Sequence, residues 1–170
     1  EALTNARVET LNQLTPALTE AYDAVAREPA HLQPSYRSTW INDGLGSALA
    51  AARSDDLRRG VTTVGPHRDD IELLLAGLAT RTHSSQGEQR SIALALRLAA
   101  HRAVTTVTGT PPVLILDDVF SELDPFRSTA LLAHLPAGQA LLTTASGLPA
   151  GAEPAQTVMV NDHELTVDVP

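Results

Sequence analysis

Pro111–Asp124 reads PPVLILDDVFSELD, and this stretch decides the fold. Paired prolines break whatever precedes them, an unbroken aliphatic run follows from Val113 to Leu116, and Asp117 and Asp118 close it. A short continuous apolar segment with such boundaries predicts a strand covered on both faces, as in a parallel sheet. In open α/β sheets ligands gather at the carboxyl ends of the strands, where these two carboxylates stand. Consecutive strand residues point to opposite sides, so the pair is expected to divide its work. Asp117 is placed to hold Mg²⁺, a hard cation that prefers oxygen ligands and keeps several waters. Asp118 is placed to orient or deprotonate an attacking water. The plain alternative is a pair of solvated acids at a strand end. Asp124 is a good N-cap with Pro125 in the first helical position, so a helix is expected to Leu135.

Upstream, Ser84–Arg90 reads SSQGEQR. Ser85 and Glu88 have the S-x-x-E spacing of a capping box, which predicts a helix from about Gly87 to Val107, ended by Thr108-Gly109-Thr110-Pro111-Pro112. Gly87 removes side-chain bulk from the first turn. It is expected to leave backbone N–H groups, at the positive end of the helix dipole, open to an anion. Downstream, Ala140–Thr144 reads as a second buried strand and Val158–Val169 as a hairpin turning at Asn161-Asp162. Strand, helix, strand, helix in this order predicts an α/β layer.

Between Gly60 and the capped helix the pattern is one of short strands, Val61–Val64 and Ile71–Leu75, around the string GPHRDD at Gly65–Asp70. Two readings of Arg68 stand there: an ion pair with Asp69 or Asp70 behind a Gly65-Pro66 turn, or a contact with a phosphate. The first 60 residues differ. Apolar positions recur at helical spacing from Ala2 to Ala26, with a kink or restart expected at Pro16. An extended stretch from Tyr36 to Ile41, a turn at Asn42-Asp43-Gly44 and an alanine-rich helix from Leu45 to Arg59 follow. Residues 1–60 are therefore expected to form a mostly helical appendage, and 61–170 the α/β lobe.

With 170 residues and 43% apolar composition the chain should be globular. No apolar run approaches the roughly 20 residues that span a bilayer, and Glu1 does not open a basic signal-peptide region. There is no cysteine, so disulfides and thiolate metal sites are excluded; a reducing cytoplasm is compatible. The six histidines show no spacing suited to a shared metal. A net charge of −8 argues against a surface uniformly built to neutralise phosphates, so any nucleic-acid contact must be local. Aromatic residues make up 3%, too few for a base-stacking platform. All twelve basic residues are arginine, so the phosphate-gripping loop G-x-x-x-x-G-K-[ST] is absent. A chain that uses the two motifs above to act on ATP is expected to have that loop elsewhere.

The strings RGVTTVGPHRDDIEL (Arg59–Leu73), SSQGEQRSIALALRLA (Ser84–Ala99), PPVLILDDVFSELD and QALLTTAS (Gln139–Ser146) resemble the C-terminal part of the RecF family, DNA-repair ATPases related to the SMC and ABC families. The resemblance implies the C-terminal lobe of an ABC/SMC-type ATPase: a parallel-sheet core with flanking helices, plus part of a helical arm in residues 1–60. It implies ATP and Mg²⁺ as cofactors. Ser85, Gln86, Gly87 and Glu88 match the signature that meets ATP held by a second subunit. Asp117 and Asp118 match the Walker B pair, Ser121 to Asp124 the D-loop, and Thr144 the switch position. The implied partners are double-stranded DNA and single-strand/double-strand junctions, a second copy in an ATP-dependent homodimer, and recombination mediator proteins, in the cytoplasm with no membrane contact. Two departures from the ABC pattern are visible. Aspartate stands at 118 where ABC proteins carry glutamate, and Thr144 replaces the switch histidine. Both suit slow hydrolysis that times a clamp, and the resemblance implies that DNA stimulates it. A transporter-type ABC ATPase, another chromosome-maintenance ATPase and a non-hydrolysing interaction module are the rival readings.

Overall fold

The computed structural model describes residues 1–161 and 164–168. Helix α1 (Ala2–Val25) leads to strand β1 (Leu32–Arg37), helix α2 (Leu45–Arg59), strands β2 (Asp70–Leu75) and β3 (Leu78–Ala79), and a single helical turn α3 (Thr80–His83). The long helix α4 (Gln86–Thr108) follows, then strand β4 (Leu114–Leu116), a 3₁₀ turn (Val119–Glu122), helix α5 (Pro125–Ala133), strand β5 (Ala140–Leu142) and the strands β6 (Thr157–Asn161) and β7 (Glu164–Asp168).

The capped start and the glycine stop of α4 do what the sequence asks. Gly109 takes the left-handed conformation, with φ 71°, and its amide closes on the Thr105 carbonyl. The apolar stripe of α4, including Ile92, Ala95, Leu98 and Ala99, is buried against Leu18, Ala21, Tyr22 and Val25 of α1. Leu114, Leu116, Phe120 and Leu131 complete the same core. α1 runs through Pro16 without a break, contrary to the expected kink. Pro16 and Asn12, whose carbonyl loses its helical partner, are both exposed, so water can take the place of that bond.

α1 and β1 therefore share one core with α4, and Gly60 is no packing boundary for them. Within residues 1–60 it is α2 that stands off, with no buried residue. β1 pairs antiparallel with β2, from Leu32↔Leu75 to Arg37↔Asp70, four residues upstream of the extended stretch expected at Tyr36–Ile41. Pro34 disguises this strand in sequence and is tolerated because β1 lies at the edge of the β1-β2-β3 sheet. Val61–Val64, expected as a strand, forms none. Its polar groups are taken locally: the Thr63 amide and hydroxyl donate to Asp56, and Arg68 donates to the Thr62 carbonyl at 3.0 Å.

β4 and β5 are parallel, in the register Leu114↔Ala140 to Leu116↔Leu142. β4 is covered on one face only: Leu114 and Leu116 are buried, whereas Ile115 is 66% exposed. β5 is likewise uncovered at Leu141 and Leu142. Double-sided burial fails because, among the described residues, this sheet has two strands and nothing packs on its second face. β6 and β7 form the expected antiparallel hairpin, from Thr157↔Asp168 to Asn161↔Glu164, while the expected turn residue Asp162 lies outside the described residues. No helix among the described residues is long and apolar enough to cross a membrane.

Neither ion pair expected within GPHRDD forms. Asp69 instead accepts hydrogen bonds from the Trp40 indole at 2.9 Å and the Tyr36 hydroxyl at 2.8 Å, and Asp70 pairs with Arg81 at 3.2 Å. Trp40 is 2% exposed, so Asp69 satisfies a donor that water cannot reach. Asp69→Ala should therefore cost about 1–3 kcal/mol, the range for orphaning a buried donor, whereas Tyr36→Phe should cost less because Tyr36 is only half-buried. Urea denaturation of the variants checks the order; an Asp69→Ala protein as stable as the parent contradicts it.

Candidate functional site

At the start of α4 the Ser85 hydroxyl accepts from the Glu88 amide at 3.3 Å, and the Glu88 carboxylate accepts from the Ser85 amide at 2.7 Å and hydroxyl at 2.8 Å. Both halves of the capping box are thus made, and Gln86 is exposed beside them. The position that a Gly87 side chain would take is filled. A Cβ there would stand 2.9 Å from Nη2 of Arg127 and 3.2 Å from its Cζ.

Arg127 lies in the first turn of α5, whose N-cap is Asp124. The Asp124 carboxylate accepts from the Arg127 amide at 3.1 Å and from its guanidinium, and Arg27 lies 3.5 Å away. Arg127 Nε donates to the Ser91 hydroxyl at 3.0 Å. Next to Ser91 on α4, Arg90 donates to the Glu122 carbonyl at 2.7 Å. The Ser85–Glu88 turn and the Ser121–Asp124 loop, separate in sequence, are therefore laced together by two arginines. Sequence reading assigns a role to neither, because Arg90 only closes the SSQGEQR string and Arg127 follows the Ser121–Asp124 loop, and the partner each reaches on the other element lies more than 30 residues away along the chain.

The second group forms at the carboxyl end of β4. Thr143 donates its hydroxyl to Asp117 Oδ1 and accepts from the Asp118 amide at 2.9 Å. Ser121 donates to the Asp118 carbonyl at 2.8 Å and carboxylate at 2.9 Å. Asp118 itself takes the left-handed conformation, with φ 46°, so strand alternation stops at Asp117 and does not by itself separate the two carboxylates. Thr144, the expected switch residue, donates to the Gly147 carbonyl at 3.1 Å, while its neighbour Thr143 is the one bonded to Asp117. The parallel register foreshadows this, since continuing Leu116↔Leu142 by one residue sets Thr143 beside Asp117.

No cluster of three or more histidines, cysteines or acids that could hold a metal occurs among the described residues. Asp117 still fits Mg²⁺, which is commonly bound through one or two carboxylates plus substrate phosphates and waters: it is an exposed hard-oxygen ligand oriented by Thr143.

No protein-family model matches the chain. It is 39% identical over 134 residues to the DNA replication and repair protein RecF of Geobacter sulfurreducens, covering 74% of this chain and 37% of that one. To the RecF of Renibacterium salmoninarum it is 37% identical over 176 residues, covering 84% and 44%. A solved structure of the recombination mediator protein RecF with ATP in the RecFOR pathway superposes with a TM-score of 0.79 at 28% identity, over 99% of this chain and 47% of the other. A solved structure from work on ATP-driven dimerisation and DNA-stimulated activation of SMC ATPases shares the fold, with a TM-score of 0.54 at 17% identity and coverage of 98% and 88%.

A parallel strand pair ending in two carboxylates, set beside a capped helix that buries its stripe against α1, makes this an α/β chain of the ABC/SMC-type ATPase fold. Within that class the chain belongs to the RecF family, and it spans less than half the length of the RecF proteins it matches.

Hydrogen bonds from the Ser85 hydroxyl and amide hold the Glu88 carboxyl below its usual range, against the opposing effect of burial. Burial raises the Asp124 pKa, but the Arg127 amide and guanidinium and the charge of Arg27 outweigh it and leave it lowered. A lowered carboxyl contributes stability in full above its unfolded pKa, about 4.3 for Glu and 3.9 for Asp. That contribution is lost as pH falls through the folded value. These two groups should leave the melting temperature level down to about pH 5 and lower it below about pH 4. Glu88→Gln, which keeps a capping partner but cannot titrate, should fall less steeply; an unchanged acid limb would show that Glu88 is not a contributor.

Proposed function

We propose that this chain supplies the signature helix, Walker B strand and D-loop of a RecF-type DNA-repair ATPase. The observation that carries this reading is the pair Asp117 and Asp118 at the carboxyl end of β4, tied to one another by Thr143 and to the D-loop by Ser121. Asp117 would hold Mg²⁺ on the phosphates of ATP. Asp118 would orient the attacking water, its carboxylate held in place by the Ser121 hydroxyl. ATP would be gripped by a phosphate loop in a part of the protein beyond these residues. The Ser85–Glu88 turn, with Ser121 and Asp124, would close on ATP held by a second copy, giving an ATP-dependent homodimer. An aspartate at 118 is one methylene shorter than glutamate, which weakens positioning of the water and makes hydrolysis slow.

The substrate context follows from the family. The dimer would assemble in the cytoplasm on double-stranded DNA near single-strand junctions, and with recombination mediators would assist recombinase loading. α2 and the neighbouring part of residues 1–60 would belong to the arm, with residues 61–170 forming the ATPase lobe. Arg68, whose side chain among the described residues reaches only the Thr62 carbonyl and is exposed, stays available to a phosphate.

In the full-length protein, Asp118→Asn should keep ATP binding and ATP-induced dimers while turnover falls by about 100-fold or more, the scale of a lost general base. Asp117→Ala should weaken Mg·ATP binding itself. Paired calorimetry and phosphate-release assays separate the two, and wild-type turnover in both variants contradicts the assignment.

Ser85→Arg should leave ATP binding by each subunit intact and abolish ATP-dependent dimerisation. It also removes a cap, at a cost of about 1 kcal/mol, so sedimentation with and without ATP is read beside a melting curve. A folded Ser85→Arg protein that still dimerises refutes a trans-acting Ser85.

A further inference from the structure

The function proposed above requires two elements of one subunit, the first turn of α4 and the Ser121–Asp124 loop, to meet the same nucleotide. We propose that Arg127 is a positioning residue that locks these two elements into one preformed surface. The inference rests on the nucleotide-facing reading of Ser85 and Asp124.

Three contacts of a single guanidinium carry it. Nε donates to Ser91 on α4 at 3.0 Å, and Nη1 donates to the carboxylate of Asp124 at the end of the loop. The remaining edge lies so close to Gly87 that a Cβ would collide at 2.9 Å. Ser91 is fully buried and the Arg127 side chain is only 14% exposed, so these bonds are shielded from competing water. A guanidinium reaches two acceptors at once through a rigid fork, which a lysine ammonium cannot reproduce. The placement is electrostatically opposed: Arg127 sits in the first turn of α5 and against the first turn of α4, and both dipoles disfavour a cation there. The Asp124 carboxylate offsets that, and it belongs to the very loop being held. Gly87 is then needed for a reason internal to the subunit, the seat of Arg127. Arg90, bonded to the Glu122 carbonyl one turn further along, reinforces the same tie from a more exposed position.

The test uses the full-length protein. Arg127→Lys should bind Mg·ATP within about twofold of the parent in each subunit, yet raise the dissociation constant of the ATP-dependent dimer about tenfold or more. A role in general stability would instead lower nucleotide affinity and dimerisation together. Should Arg127→Lys fail to fold, Ser91→Ala removes the Nε acceptor and should act in the same direction. Gly87→Ala should lower the melting temperature when Arg127 is present. In an Arg127→Ser background it should be neutral or stabilising, because alanine is then free to favour the helix. Arg127→Lys that folds and dimerises like the parent, while Ser85→Arg does not dimerise, overturns the role of Arg127 alone. Ser85→Arg that also dimerises normally removes the underlying reading and this inference with it. Equal effects of Gly87→Ala in both backgrounds show that the contact with Arg127 is not what Gly87 serves.

Discussion

The close approach of α1 to α4 is the contact on which the other elements depend. Ala95 and Ala99 of α4 are only 0% and 1% exposed, and Ala21 of α1 6%, so small side chains allow the two helix backbones to come together. Leu18, Val25 and Leu98 then fill the seam. With α4 fixed along its length, its first turn has a fixed height and direction relative to β4, which shares the same core through Leu114 and Leu116. The carboxylates at the end of β4 and the capped serine of α4 thus inherit their relative placement from apolar packing. Polar contacts refine it: Arg90 and Arg127 bridge the two motifs, and Thr143 and Ser121 orient the acids.

Much of this was readable from sequence where the signal was local. The capping box at Ser85 and Glu88, the glycine stop at Gly109 and the helix Leu45–Arg59 are set by nearest neighbours along the chain, and the structure has them as read. Signals that depend on partners were harder. Pro34 masked an edge strand whose place is fixed by pairing with Leu73 on β2. The aliphatic run at Val113–Leu116 correctly indicates a strand, yet burial of its second face depends on what lies against it, which hydrophobicity does not encode.

The site divides along the same line. Asp117 and Asp118 stand out because a strand ending in two acids is unusual in itself. Thr143, Arg127 and Ser91 are ordinary residues whose meaning arises from register and tertiary contact. Thr144 stands out only by likeness to a family pattern, whereas the contact of Thr143 with Asp117 follows from the β4–β5 register. Gly87 is a subtler case. Its small size is legible, but that it makes room for a side chain of its own subunit is visible only in the fold.

The left-handed backbone at Asp118 bears on why this position carries a short acid. A non-glycine residue with positive φ is tolerated chiefly as asparagine or aspartate, whose short polar side chains can bond locally. Here Ser121 supplies that local bond. A longer glutamate would face a backbone that disfavours it and would have to abandon the serine. In this chain the short acid at 118 is thus matched to the torsion angle it occupies, and side-chain length at that position is set by the backbone as much as by any chemistry it serves.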